Sequence, residues 1–118
     1  MSYVELHTGS LRKVEENFSI EELESFLQNN HVFEVDNLER KKEKNTKFLE
    51  IFNKETGNMV FVWHKNSFYE IVSHNETDEV DYLLDVKKGE GDIVNFTLIF
   101  HNGGTYFSEM LEEGLDKL

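Results

Sequence analysis

A strand, a glycine turn and a helix are predicted from residues 92–118, which read DIVNFTLIFHNGGTYFSEMLEEGLDKL. Apolar and polar residues largely alternate from Val94 to His101, which is the period of a strand with one face in a core. Gly103 and Gly104 then permit a tight turn. After it, apolar residues recur at the spacing of one helix face, and they are Phe107, Met110, Leu111, Gly114, Leu115 and Leu118. A glycine within this face, Gly114, indicates close contact between the helix and a sheet.

The same helix has a second face that is wholly acidic. Its carboxylates stand at positions i, i+3, i+4 and i+7, and they belong to Glu109, Glu112, Glu113 and Asp116. The four like-charge pairs at these spacings cost a helix on the order of 1–2 kcal/mol. Since a helix that needs only solubility usually mixes its charges, we interpret this face as a candidate partner-binding surface.

The charge of the whole chain is strongly negative. Its 24 acidic and 12 basic residues give a formal net charge of −12, which repels nucleic acid and anionic membranes and favours basic partners. Residues 1–10 are polar and no apolar run reaches the length of a membrane span, so we expect a cytoplasmic protein without membrane contact. We expect a monomer or a small homo-oligomer.

The rest of the chain predicts further strands and one more helix. A hairpin is expected from strands at 3–7 and 11–15 around a turn at Thr8 and Gly9. Ser19 and Glu22 form a capping box that begins a helix. A short strand at 31–35 and a loop at 39–47 follow the helix, and a hairpin is then expected from strands at 48–53 and 59–64 with Gly57 in its turn. After it we expect a strand at 67–73 and a loop at 74–79. The next segment is predicted as a strand at 80–86, with a helix at 78–86 as the alternative.

These elements define one α+β domain over residues 1–118. Its sheet is antiparallel and mostly a meander, with one helix in the N-terminal half and one C-terminal helix packed on it. A chain of this length buries an adequate core without disulfides, and it has no cysteine.

No spacing in the sequence indicates catalysis, a metal or a cofactor. The five histidines, His7, His31, His64, His74 and His101, are the groups that titrate near neutral pH. They form no HExxH motif, no cysteine is present, and no serine stands in a G-x-S-x-G turn. We therefore expect no enzyme, no catalytic residue and no metal site. A small hydrolase that uses His64, His74 or His101 is the alternative.

Three acidic segments are the candidate partner-binding residues. They are Glu21, Glu22 and Glu24 on the first helix, Asp78, Glu79 and Asp81 in the middle segment, and Glu109, Glu112, Glu113 and Asp116 on the last helix. If these segments converge, their carboxylates would resemble a row of DNA phosphates. The alternative is that these acidic charges only keep the protein soluble.

A small-ligand site is the alternative function. The turn before the last helix leaves amides and a helix dipole available to an anion such as a nucleotide phosphate. Its residues are His101, Asn102, Gly103, Gly104 and Thr105.

Three stretches resemble small proteins of bacteriophages and prophages. They are HTGSLRKVE at 7–15, FYEIVSH at 68–74 and VNFTLIFHNGGTYFSEMLEEGL at 94–115, in which a strand ending in an NGG turn precedes an acidic helix. The resemblance implies a phage accessory role in the host cytoplasm. Together with the charge, it leads us to expect a non-enzymatic protein that binds and inhibits a basic or nucleic-acid-binding host protein without contacting nucleic acid itself. DNA mimicry is the candidate mechanism.

Overall fold

The protein is described by a computed structural model that covers residues 4–35, 45–77, 85–101 and 105–118, with side chains at 6–35, 45–76, 85–98 and 109–118. These residues form a seven-stranded antiparallel sheet and two helices, which confirms the predicted α+β class. The elements are β1 (Val4–Glu15), α1 (Ile20–Asn29), β2 (Phe33–Val35), β3 (Phe48–Asn53), β4 (Met59–His64), β5 (Ser67–Thr77), β6 (Asp85–Lys88), β7 (Ile93–His101) and α2 (Thr105–Asp116). No helix within the described ranges is long and apolar enough to cross a membrane.

The strand order is β2-β3-β4-β5-β1-β7-β6. Strands β2 to β5 follow one another as the predicted meander, β6 and β7 form a hairpin, and β1 stands between β5 and β7. The chain divides into two compact units, one of residues 1–12 with 72–118 and the other of residues 13–71. We call them the terminal unit and the middle unit.

The middle unit has an apolar core between α1 and its strands. Its buried residues are Leu23, Val35, Leu49, Ile51, Trp63 and Phe68, surrounded by a group of phenylalanine rings. Ser19 caps α1 and forms the predicted capping box with Glu22, and Gly57 has a φ of +75° in the β3–β4 turn. The helix and the hairpin were therefore both predicted correctly.

The terminal unit contains the chief errors of the sequence interpretation. The predicted hairpin at Thr8 and Gly9 is wrong, because β1 is one continuous strand from Val4 to Glu15. Gly9 lies opposite Phe96 of β7, and a Cβ there would meet the backbone carbonyl oxygen of Ser73 and, at 2.6 Å, Cζ of Phe96. The glycine is thus explained by close approach of neighbouring chain segments, which is its other common use in strands.

The predicted loop at 74–79 is also wrong where the structure describes it. Strand β5 continues to Thr77. The residues after it, 78–84, lie outside the description, as does most of the segment for which strand and helix were both considered. Its last part belongs to β6, which begins at Asp85.

Helix α2 packs on the sheet as Gly114 indicated. Leu111 and Leu115 are buried, and a Cβ on Gly114 would meet Cγ2 of Val86 and, at 2.6 Å, its Cβ. Val86 lies opposite Phe96 in the β6–β7 hairpin. The helix backbone therefore lies directly against a branched side chain of the sheet.

We expect Gly114→Ala to lower the free energy of unfolding by up to about 2 kcal/mol. Alanine improves helix propensity by about 1 kcal/mol, but crowding against the stiff side chain of Val86 costs about 1–3 kcal/mol. Urea unfolding of the single variants and of Gly114→Ala with Val86→Ala measures the coupling. In the Val86→Ala background, Gly114→Ala should become stabilising, and a more stable single variant would contradict the close packing.

Candidate functional site

The acidic face of α2, defined as Glu109, Glu112, Glu113 and Asp116, is largely exposed. Glu109, Glu113 and Asp116 are exposed and Glu112 is half-buried. Leu111 and Leu115, which point the other way, are buried in the terminal unit. The fixed apolar face thus holds the carboxylates on the outer side of the helix.

The position of these carboxylates along the helix is electrostatically unfavourable. The first turn of α2 has no acidic residue and the last turn has no basic one. Glu113 and Asp116 lie in the last turn of α2, where the helix dipole disfavours negative charge by about 0.3–1 kcal/mol each. The helix dipole therefore does not stabilise the C-terminal part of the acidic face.

Two of the three acidic residues of α1 differ because they stabilise their helix. Glu21 and Glu22 occupy its first turn, where the dipole favours negative charge. The carboxylate of Glu22 accepts hydrogen bonds from the backbone N–H and the hydroxyl of Ser19, at 3.5 and 3.3 Å. Glu24 is half-buried. The capping role gives Glu22 a structural explanation.

Two other groups of predicted site residues are only partly described. Asp78, Glu79 and Asp81 lie outside the described residues, and so do Asn102, Gly103 and Gly104 of the alternative ligand site. His101 ends β7 and Thr105 begins α2, each described by its backbone alone. Helices α1 and α2 belong to different units, so convergence of the acidic segments stays a prediction.

A second candidate site consists of two histidines and a glutamate in the terminal unit. His7 lies on β1 and is buried, while His74 and Glu76 lie two residues apart on β5 and are exposed. Nδ1 of His7 is 2.7 Å from Nε2 of His74 and 3.9 Å from Oε1 of Glu76. The ligand atoms of all three residues lie within 4.8 Å of one another. We call these residues the histidine cluster.

Packing holds the rings of the histidine cluster in place. The ring of His74 meets Phe96 edge to face, with centroids 5.8 Å apart, and it tilts against His7 at 4.9 Å. Phe96 is buried and lies on β7 directly opposite Gly9 of β1. The absence of a side chain at Gly9 therefore lets Phe96 reach the position from which it supports His74.

The environment keeps His74 neutral at neutral pH. His74 is exposed as a residue, but its ring packs against His7 and Phe96. The resulting loss of hydration lowers its pKa from the usual 6.5, the charge of nearby His7 lowers the pKa further, and the carboxylate of Glu76 opposes both effects. An unprotonated imidazole offers a lone pair at one ring nitrogen. This nitrogen can accept a hydrogen bond or bind a cation.

The lowered pKa of His74 predicts a loss of stability in mild acid. Because the unfolded chain binds this proton more tightly than the folded one, the stabilisation is complete above pH 6.5 and declines as the pH falls through 6.5 towards the lower folded pKa. With chelator present, the urea midpoint should fall between pH 7.5 and 5.5. His74→Gln should reduce this fall. An equal fall in both proteins would contradict the assignment to His74.

Only one member of the histidine cluster was singled out from the sequence as a candidate catalytic residue. His74 stood among the three histidines of the hydrolase alternative, but His64 is buried in β4 beside Phe48 in the middle unit. His7 and Glu76 were not connected with His74. The spacing His74-x-Glu76 indicates a shared strand face only if the segment is read as a strand, and the position of His7 depends on the strand order.

Comparisons with family models, curated proteins and solved structures found no match to this chain.

Proposed function

We propose that this protein is a non-enzymatic accessory protein of the phage type that binds and inhibits a basic host protein through the acidic face of α2. The single observation that carries the proposal is the exposed row of carboxylates on a helix whose opposite face is buried. Such a row concentrates negative potential where a positively charged partner can reach it.

The spacing of the row supports mimicry of DNA. From Glu109 to Asp116 the helix rises about 10.5 Å at about 1.5 Å per residue. Successive carboxylates are about 4.5, 1.5 and 4.5 Å apart along the axis, and their mean of about 3.5 Å is close to the roughly 3.4 Å of helix axis per phosphate of one DNA strand. A protein that normally binds DNA phosphates with lysine and arginine is therefore the class of partner that fits.

The energetic cost of the row is the second support. Like-charge repulsion within the acidic face opposes helix formation by on the order of 1–2 kcal/mol. Glu22 of α1 has a capping role in the first turn of its helix, whereas the first turn of α2 contains no acidic residue. A surface that lowers the stability of its own helix is typical of a binding site.

The test is a pull-down from bacterial lysate at low and high salt. It compares wild type, a face variant (Glu109→Gln, Glu112→Gln, Glu113→Gln, Asp116→Asn) and a control variant that neutralises four exposed carboxylates elsewhere (Glu15→Gln, Glu55→Gln, Glu90→Gln, Asp92→Asn). We expect one basic protein to be retained by wild type and control, lost from the face variant, and released by high salt or by duplex DNA.

Other results would overturn parts of the proposal. Equal loss from both variants would show that net charge rather than α2 controls binding, and salt-resistant retention would exclude the charge mechanism. A partner that resists duplex DNA would exclude mimicry. Absence of any retained protein at low salt would contradict the proposed function.

The face variant should also be more stable than wild type, by about 1–2 kcal/mol, because its helix loses four repulsive pairs. The control variant should differ from wild type by no more than about 0.5 kcal/mol. Urea unfolding followed by circular dichroism measures both values. Loss of binding together with a gain in stability would exclude misfolding as the cause, and a destabilised face variant would contradict the repulsion.

A further inference from the structure

We infer that His7, His74 and Glu76 form a binding site for one divalent transition-metal ion, of which Zn²⁺ is the natural probe. Two imidazole nitrogens and one carboxylate oxygen are brought within 4.8 Å by two strands of the terminal unit. A set of two histidines and one glutamate is a donor set that holds zinc in proteins while leaving a position for solvent. The same donors also suit other first-row metals.

The strand geometry places all three donors on one face of the sheet. His74 and Glu76 share a face of β5 because they are two residues apart. On β1, His7 and Gly9 lie opposite Leu98 and Phe96 of β7. Contact of His74 with both His7 and Phe96 shows that the two strands present these residues on the same side. The site therefore requires no change of backbone or strand register.

The distances require only a small adjustment of side chains. Nitrogens bound to one tetrahedral zinc at about 2.0–2.1 Å lie roughly 3.3 Å apart, whereas the two ring nitrogens are 2.7 Å apart and share a hydrogen bond. Binding would replace this hydrogen bond and separate the rings by roughly 0.6 Å. Glu76, whose side chain is 59% exposed, can rotate to bring its oxygen to the metal.

The chemistry of the donors favours a transition metal over calcium or magnesium. Calcium and magnesium prefer sites made of oxygen ligands, and two of the three donors here are imidazole nitrogens. The abundant surface carboxylates of the chain can bind those ions only through oxygen. Selectivity for Zn²⁺ in the presence of Mg²⁺ and Ca²⁺ therefore distinguishes the histidine cluster from general attraction of cations to an acidic protein.

Isothermal titration of the full chain with ZnCl₂ is the test, with tag-free protein treated with chelator and excess MgCl₂ present. We expect one ion per chain. The pair His74→Gln with Glu76→Gln should weaken binding at least a hundredfold, and Glu76→Gln alone at least tenfold. The matched control, His31→Gln with Glu34→Gln, removes an exposed histidine and glutamate of the middle unit and should bind within twofold of wild type.

A second readout identifies the ligands directly. Ring ¹⁵N signals of His7 and His74 should shift on addition of Zn²⁺, while those of His31 and His64 should not. Because the replaced side chains are exposed, circular dichroism should show both variants folded. Failure to bind one ion per chain, equal binding by the His74–Glu76 variant, or displacement by millimolar Mg²⁺ would each overturn the inference and leave the His7–His74 contact as a structural hydrogen bond.

Discussion

Gly9→Ala should lower the free energy of unfolding by about 3 kcal/mol or more, because no side chain fits at this point of β1. The new Cβ would collide with the backbone carbonyl oxygen of Ser73 and lie 2.6 Å from Cζ of Phe96. Overpacking usually costs about 1–3 kcal/mol, and here one of the crowded atoms is backbone that cannot rotate away. The melting temperature should fall by roughly 10–20 °C.

Whether Gly9→Ala lowers or raises the free energy of unfolding shows whether close packing or backbone conformation explains this glycine. Gly9 has no positive φ, whereas Gly91 has a φ of +61° with open space around its Cβ position. Gly91→Ala should therefore cost only about 1–2 kcal/mol, from the left-handed conformation. Adding Phe96→Leu to Gly9→Ala should give little recovery, since the carbonyl of Ser73 remains. A stabilising Gly9→Ala would show that β1 is free to move away from its neighbours.

Trp63→Ala should cost about 4–5 kcal/mol. The side chain is 3% exposed in the core of the middle unit, and truncating a buried tryptophan to alanine costs about 3–5 kcal/mol. Its Nε1 also donates a 2.8 Å hydrogen bond to the carbonyl of Phe18, just before α1, and this acceptor would lose its partner. Urea unfolding followed by circular dichroism measures the loss.

A smaller substitution separates the two contributions of Trp63. Trp63→Phe keeps an aromatic ring in the core and removes the hydrogen bond to Phe18, so we expect a loss of about 1–2 kcal/mol. If Trp63→Phe is as damaging as Trp63→Ala, the hydrogen bond rather than packing holds the start of α1.

The elements that the sequence predicted well depend on local interactions. The capping box of Ser19 and Glu22 closes within one helical turn, and the turn at Gly57 needs a positive φ whatever surrounds it. The apolar face of α2, with Gly114 within it, likewise indicated contact with the sheet. In each case the residues that determine the structure are near one another in the chain.

The errors at β1 and β5 come from contacts between distant residues. A glycine between two strand-like stretches can permit either a turn or the close approach of another chain segment. At Gly9 the approaching residues are Ser73 and Phe96, which are more than sixty residues away in the chain. The polar stretch from His74 to Glu76 resembles a loop until β1 is placed beside it. The acidic face of α2 was predictable because helix period alone defines it, but the histidine cluster was not, because it joins two misread segments.

Because the chain has a single tryptophan, tryptophan fluorescence can follow the middle unit separately. Trp63 lies among residues 13–71, and its indole is enclosed by that unit's own core, so its fluorescence reports the melting of those residues. The rings of His7 and His74 give a separate NMR signal from the terminal unit. Coincidence of the two transitions would mean that the units melt cooperatively, and separation would mean that each is an independent folding unit.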